Sequence, residues 1–202
     1  MKMILASLSA SLMFGAVAFA ESALVPGGSS ADGKCEVLIT RKADYDPNKD
    51  GSEYFYSVQA KGAQKPMLTI EGSGYGVFSA VKYTCKALWD ESGRFVVIRV
   101  LSGRHISTIH LVAVTSDGAK ILELPDYVQN ALGRVDATWV DFACGSDPIQ
   151  WDGNDLLVGL SFTARGRHSY NCMVTLQVTS NANQATPSVG LKSVTKPMES
   201  EG

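Results

Sequence analysis

Between residues 33 and 180 the apolar side chains fall in short runs rich in Val, Ile, Phe and Tyr. Clusters of Gly, Asp, Asn and Ser separate them. Short β-branched and aromatic runs between turn-forming residues are the pattern of strands and hairpins, because such side chains pack on a pleated, half-buried surface. The pattern predicts strands over 36–42, 54–60, 66–71, 77–88, 95–101, 107–114, 120–124, 136–143, 156–162 and 170–178. A single helix is expected, over 126–132, where Asp126 follows Pro125 as a capping residue and Gly133 stands just past the end. The expected fold class is all-β: two to three antiparallel, blade-like sheets in an incomplete propeller-like array, or alternatively a β-sandwich.

The flanks read differently. Lys2 precedes an apolar stretch from Ile4 to Phe19, and Ala18-Phe19-Ala20 has the small-x-small form that signal peptidase cuts. A signal peptide over 1–20 is therefore expected, with Glu21 as the mature N-terminus and a secreted or periplasmic location. Residues 21–32, rich in Gly, Ser and Pro, read as a linker, and 181–202 as a polar C-terminal tail whose last dozen residues are mobile. This leaves 33–180 as one all-β repeat domain.

A repeat runs through that domain. Trp89-Asp90 matches Trp151-Asp152, Gly103-Arg104-His105 matches Gly166-Arg167-His168, and Val114-Thr115-Ser116 matches Val178-Thr179-Ser180. A fainter copy begins at Asp32-Gly33-Lys34, set against Ser92-Gly93-Arg94. Each unit reads as a strand ending in Trp-Asp, a tight turn, two strong strands joined by a hairpin loop, and a weaker strand. The segments Trp89-Asp90-Glu91-Ser92-Gly93-Arg94 and Trp151-Asp152-Gly153-Asn154-Asp155 make this unit resemble a blade of the β-propeller proteins of the TolB-like and WD-like type. The resemblance implies four-stranded blades. The chain holds material for two and a half to three of them, where propellers typically have four to eight. An open arc, an oligomer that completes a ring, and a sandwich with similar hairpins all remain open.

Composition narrows the classes of function. The residues are 45% hydrophobic and 19% charged, enough for a buried core. With 18 basic against 20 acidic residues the net charge is −2, which disfavours a general nucleic-acid binder. No apolar run after residue 20 is long enough to span a membrane. Cys35, Cys85, Cys144 and Cys172 make an even number in an exported chain, which favours disulfides, with three connectivities open. None of the spacings is of the CxxC kind that clips zinc.

The loop 44–53 carries the most suggestive chemistry. Asp46, Asn48 and Asp50, followed by Gly51, take the first places of a calcium loop, in which alternate oxygen ligands face the ion and glycine makes the sharp turn. Asp44 adds a fourth oxygen donor. Ser57 falls where the bidentate acid belongs, so the competing reading is a polar hairpin loop. The metal candidates are thus Asp44, Asp46, Asn48 and Asp50, with calcium the one cofactor considered. The two Gly-Arg-His turns place Arg104, His105, Arg167 and His168 at matching positions, where an Arg–His pair could hold an anion or take a proton. Together with Asp46 and Asp50 they define an expected binding rim for an unknown protein or a polar ligand at the cell envelope. No nucleophile elbow, zinc helix motif or phosphate loop is present. The expectation is an exported, non-enzymatic binding or scaffold protein. The alternative is a secreted hydrolase using loop acids, such as Asp141 with Asp147 or Asp152 with Asp155. The tryptophans 89, 139 and 151 suit core packing better than a sugar-stacking platform.

Overall fold

The computed structural model describes residues 21–46, 52–72, 78–102, 106–135, 140–164, 168–180 and 186–200, with the backbone alone for 140–144 and 164. The chain is all-β, with two short α-helices among the described residues. β1 (Ser22–Ser29), β2 (Cys35–Arg41), β3 (Tyr54–Ala60) and β4 (Leu68–Glu71) form a first antiparallel sheet in chain order. A helix, α1 (Phe78–Thr84), leads to a second meander made of β5 (Lys86–Trp89), β6 (Phe95–Leu101), β7 (Ser107–Thr115) and β8 (Gly118–Leu122). A second helix, α2 (Tyr127–Leu132), and a 3-10 turn at Gly133–Val135 lead to the third. That meander is β9 (Val140–Asp152), β10 (Asp155–Ala164), β11 (Ser169–Thr179) and β12 (Ser188–Val194), with a short β13 (Met198–Glu199) also on β11. A parallel contact at Ser107↔Gly145 joins the second and third meanders into one nine-stranded sheet.

The three meanders, each called a sheet below, stack face on face, with two apolar layers between them. Val37, Ile39, Tyr56 and Val58 of the first sheet meet Val96, Ile98, Val112 and Val114 of the second. Phe95, Val97, Ile109 and Leu111, on the other face of the second sheet, meet Leu156, Val158, Leu160 and Val174 of the third. The middle sheet is therefore covered on both faces. This explains why Phe95 to Ile98 and Leu111 to Val114 are uninterrupted buried runs, whereas β11 alternates strictly between buried and more exposed positions. Burying a Val, Leu or Ile side chain contributes about 1.5–3 kcal/mol, so these two layers dominate the fold's stability.

Several sequence expectations need correction. The presumed linker supplies β1. Its glycines serve close packing: Gly27 has φ +73°, and a Cβ there would lie 2.2 Å from the Ala87 carbonyl oxygen of β5. The expected strand 77–88 divides into α1 and β5. The reason is tertiary. The Phe78 amide donates to the buried Glu53 carboxylate at 3.0 Å, and Phe78 and Val81 insert into the first apolar layer. The polar tail supplies β12 and β13. Of the expected strand 136–143, residues 136–139 lie outside the described residues and 140–143 belong to the longer β9, which carries Pro148 beside a register shift, where a strand tolerates proline. Cys35, Cys85 and Cys172 carry free thiols, so the expected disulfides do not join them. Cys172 sits in the layer between the second and third sheets and Cys85 in the other layer, so the middle sheet separates them. Burial pushes both thiols up, Cys85 to about 11. The helix at 126–132 forms as expected, with the Asp126 carboxylate accepting the Gln129 amide at 3.0 Å.

Candidate functional site

The first turns of the three sheets gather at one end of the stack. Gly33, Gly93 and Gly153 each adopt positive φ, at 69°, 68° and 57°, which favours glycine in the tight turn. The first two turns are built alike. Ser30 Oγ accepts the Cys35 amide at 2.9 Å, and Asp90 Oδ1 accepts the Phe95 amide at 2.7 Å. Asp32 accepts the Lys34 amide and the Ser30 hydroxyl, and these bonds hold its carboxyl down at about 2. The Ser92 hydroxyl and amide both donate to Asp90 Oδ2. Gly93 lies beside Asp32, and a cleft of about 340 Å³ separates the second turn from Trp151, Gly153 and Asn154 of the third.

Two tryptophans fix the first strands to one another. Trp89 Nε1 donates to the Gly28 carbonyl of β1 at 2.9 Å, and Trp151 Nε1 donates to the Leu88 carbonyl of β5 at 3.1 Å. Each indole thus reaches back to the first strand of the preceding sheet. Trp151 also lies against Phe95, with ring centroids 6.3 Å apart. Both side chains are half-buried, in keeping with a packing role. Trp139 lies outside the described residues.

In a meander, successive connections alternate ends. With the first turns gathered at one end, the β2–β3, β6–β7 and β10–β11 loops all leave from the other, as do the connections that carry α1 and α2. These loops hold every candidate rim residue. Asp44 is exposed and Asp46 half-buried just after β2. Asn48, Asp50, Arg104, His105 and Arg167 lie outside the described residues. His168 is exposed, and its Nδ1 meets Glu199 Oε1 at 2.5 Å. Glu199 was not legible as a partner, since a single acid in a polar tail carries no signal. Among the described residues no group of three His, Cys, Asp or Glu side chains is placed to hold a metal ion.

Other polar groups at this end are committed to structure. Glu53, 8% exposed, takes Arg41 Nε at 2.8 Å as well as the Phe78 amide. Lys42 pairs with Glu71 at 2.6 Å. Of the acids considered for hydrolysis, Asp147 faces Lys86 at 3.6 Å and Asp155 pairs with Lys192, so each is matched by a lysine. The Asp141 side chain lies outside the description. His110 is half-buried on β7 opposite Ile98, and burial pushes its imidazole below the ordinary value. No helix among the described residues is long and apolar enough to cross a membrane. Compared with known proteins, the chain matches no family model, no curated protein and no solved structure.

Proposed function

We propose that this is an exported binding or scaffold protein of the cell envelope, secreted or periplasmic, whose loop end is its recognition surface. In this reading the three meanders are copies of one propeller-like unit. The observation that carries it is the common exit of the β2–β3, β6–β7 and β10–β11 loops from one end of a stack tied together by Trp89 and Trp151. Loops held on a rigid β-scaffold are the usual carriers of binding residues. Asp46, Asp50, Arg104, His105, Arg167 and His168 give this rim mixed charge, which suits a polar or charged partner. Calcium orders the first loop through Asp44, Asp46, Asn48 and Asp50.

The test is site-specific photo-crosslinking in envelope preparations. A crosslinker at Asp44 or His168 is expected to trap one discrete partner, while the same group at Ser92 or Asn154, on the turn end, traps none. Adducts from the turn end alone overturn the reading. Mass spectrometry of the exported chain is expected to show Glu21 at its N-terminus. A calcium titration is expected to raise the melting temperature of the wild type by mass action and to leave an Asp46→Ala, Asp50→Ala double variant unmoved. An unchanged wild-type melting temperature removes the metal.

A further inference from the structure

The stack of sheets runs in one sense. In the second sheet, Val96 and Ile98 pack back onto the first sheet, while Phe95 and Val97 pack forward onto the third. In the third, Leu156 and Val158 pack back onto the second. Two faces are left over: the back of the first sheet and the front of the third.

Neither is an ordinary charged surface. Across the middle of the first sheet's back, the register sets Leu24, the half-buried Leu38, the buried Ser57 and the exposed Thr69 in one row, with the buried Thr40 and half-buried Phe55 beside them. Leu24 is 50% exposed. The acids of this face stand at its margins and are engaged, Glu36 by Gln59 and Glu71 by Lys42. The front of the third sheet carries one acid near its centre, Asp147, set beside Gly159 and matched by Lys86. Gly159 pairs with Met173, and Leu157 with Thr175. Ile149, at the register shift of β9, leans over Gly159, where a Cβ would come within 3.2 Å of its Cδ1. Beside it lies a shallow apolar depression of about 260 Å³, lined by Gly159, Met173 and Met198 among others. Ile149 is 45% and Met198 72% exposed.

We infer that these two faces bind each other between copies of the chain, with the Leu24–Leu38 ridge of one copy seated on the Gly159–Met173 depression of the next. The sense of the stack selects this occupant. The first sheet's back corresponds to the faces that the second and third sheets present to their predecessors. The third sheet's front corresponds to those that the first and second present to their successors. A second copy's first sheet therefore continues the packing where the third sheet ends. The contact is heterologous, unlike patch on unlike patch. Pairing either face with itself sets ridge on ridge or hollow on hollow.

Sedimentation equilibrium of the mature chain tests this. The expected result is a concentration-dependent, open-ended rise through two and more copies, since a heterologous contact leaves one face free at each end. Leu24→Glu and Ile149→Lys should each weaken association about tenfold or more, with circular dichroism and melting temperature unchanged because both side chains are exposed. Mixing the two variants should give a complex of two copies and no more, since the mixed pair keeps one contact with both wild-type faces and leaves only altered faces at its ends. Single copies at every concentration overturn the inference, including the case in which a different protein covers these faces. So does association that ignores both variants, or a mixture no tighter than its parts. None of these substitutions touches the loop end, so the outcome is separate from that of the crosslinking experiment.

Discussion

At the scale of single residues, the tryptophans show how a sequence signal is spent on structure. Trp89 and Trp151 stand out because Asp follows each, and their indoles close hydrogen bonds onto the preceding sheet. Trp151→Phe keeps a ring against Phe95 but leaves the Leu88 carbonyl without its donor, in a half-buried place. The expected cost is about 1–2 kcal/mol, read as a lower urea midpoint with an unchanged m-value. His110 makes a second prediction. Burial disfavours its charged form, so the folded chain takes up this proton less readily than the unfolded chain, whose ordinary value is 6.5. Its contribution is fully present above that value and is lost as pH falls below it, through the depressed folded value. Denaturation midpoints measured on either side of pH 6.5 should fall more steeply for wild type than for His110→Gln. Equal slopes would show that His110 titrates alike in both states.

Among elements, short apolar runs were easy to read as strands and tertiary rescue was not. The bounds of β3 and β6 coincide with their seven-residue runs, which are rich in β-branched and aromatic side chains, too short for a core helix and bounded by turn residues. β1 was illegible. Gly27 and Gly28 look like linker residues, yet a Cβ at Gly28 would lie 2.7 Å from two carbonyl oxygens, so the strand needs glycine to pass so close to its neighbours. α1 was illegible for a different reason. Its Val and Tyr favour strand locally, and only the buried Glu53, twenty-five residues earlier, supplies an acceptor for its first amide. Glu53→Ala is expected to cost about 1–2 kcal/mol, since Arg41 is left half in water rather than stranded. Hydrogen exchange should show the loss locally, as faster exchange across Phe78–Thr84 with β10 and β11 unchanged. Uniform acceleration would mean that Glu53 supports the whole stack. The loop end was legible as a set of turns, but the pairing of His168 with Glu199 was not, because it joins segments thirty-one residues apart through an otherwise unremarked tail.

For the molecule as a whole, the middle sheet decides how unfolding proceeds. Its two faces supply half of each apolar layer, so neither outer sheet can separate without exposing a fully apolar surface. Opening one layer removes many side chains from contact at once, each contributing about 1.5–3 kcal/mol. That exceeds the total stability of about 5–15 kcal/mol typical of a domain. Partial opening is therefore disfavoured relative to complete unfolding, and the three sheets should melt as one unit. Trp89 reports on the junction of the first and second sheets, and Trp151 on that of the second and third. In a Trp139→Phe background, variants keeping only one of these two indoles should give fluorescence transitions in urea that coincide with each other and with far-ultraviolet circular dichroism, after allowance for the stability lost with each tryptophan. Ile98→Ala on one face of the middle sheet and Leu111→Ala on the other remove side chains that are both 0% exposed. Each should cost about 2–5 kcal/mol and shift both single-tryptophan transitions together. A Leu111→Ala variant that moves the Trp151 transition while leaving that of Trp89 in place would show that the stack comes apart layer by layer, with the first two sheets holding without the third.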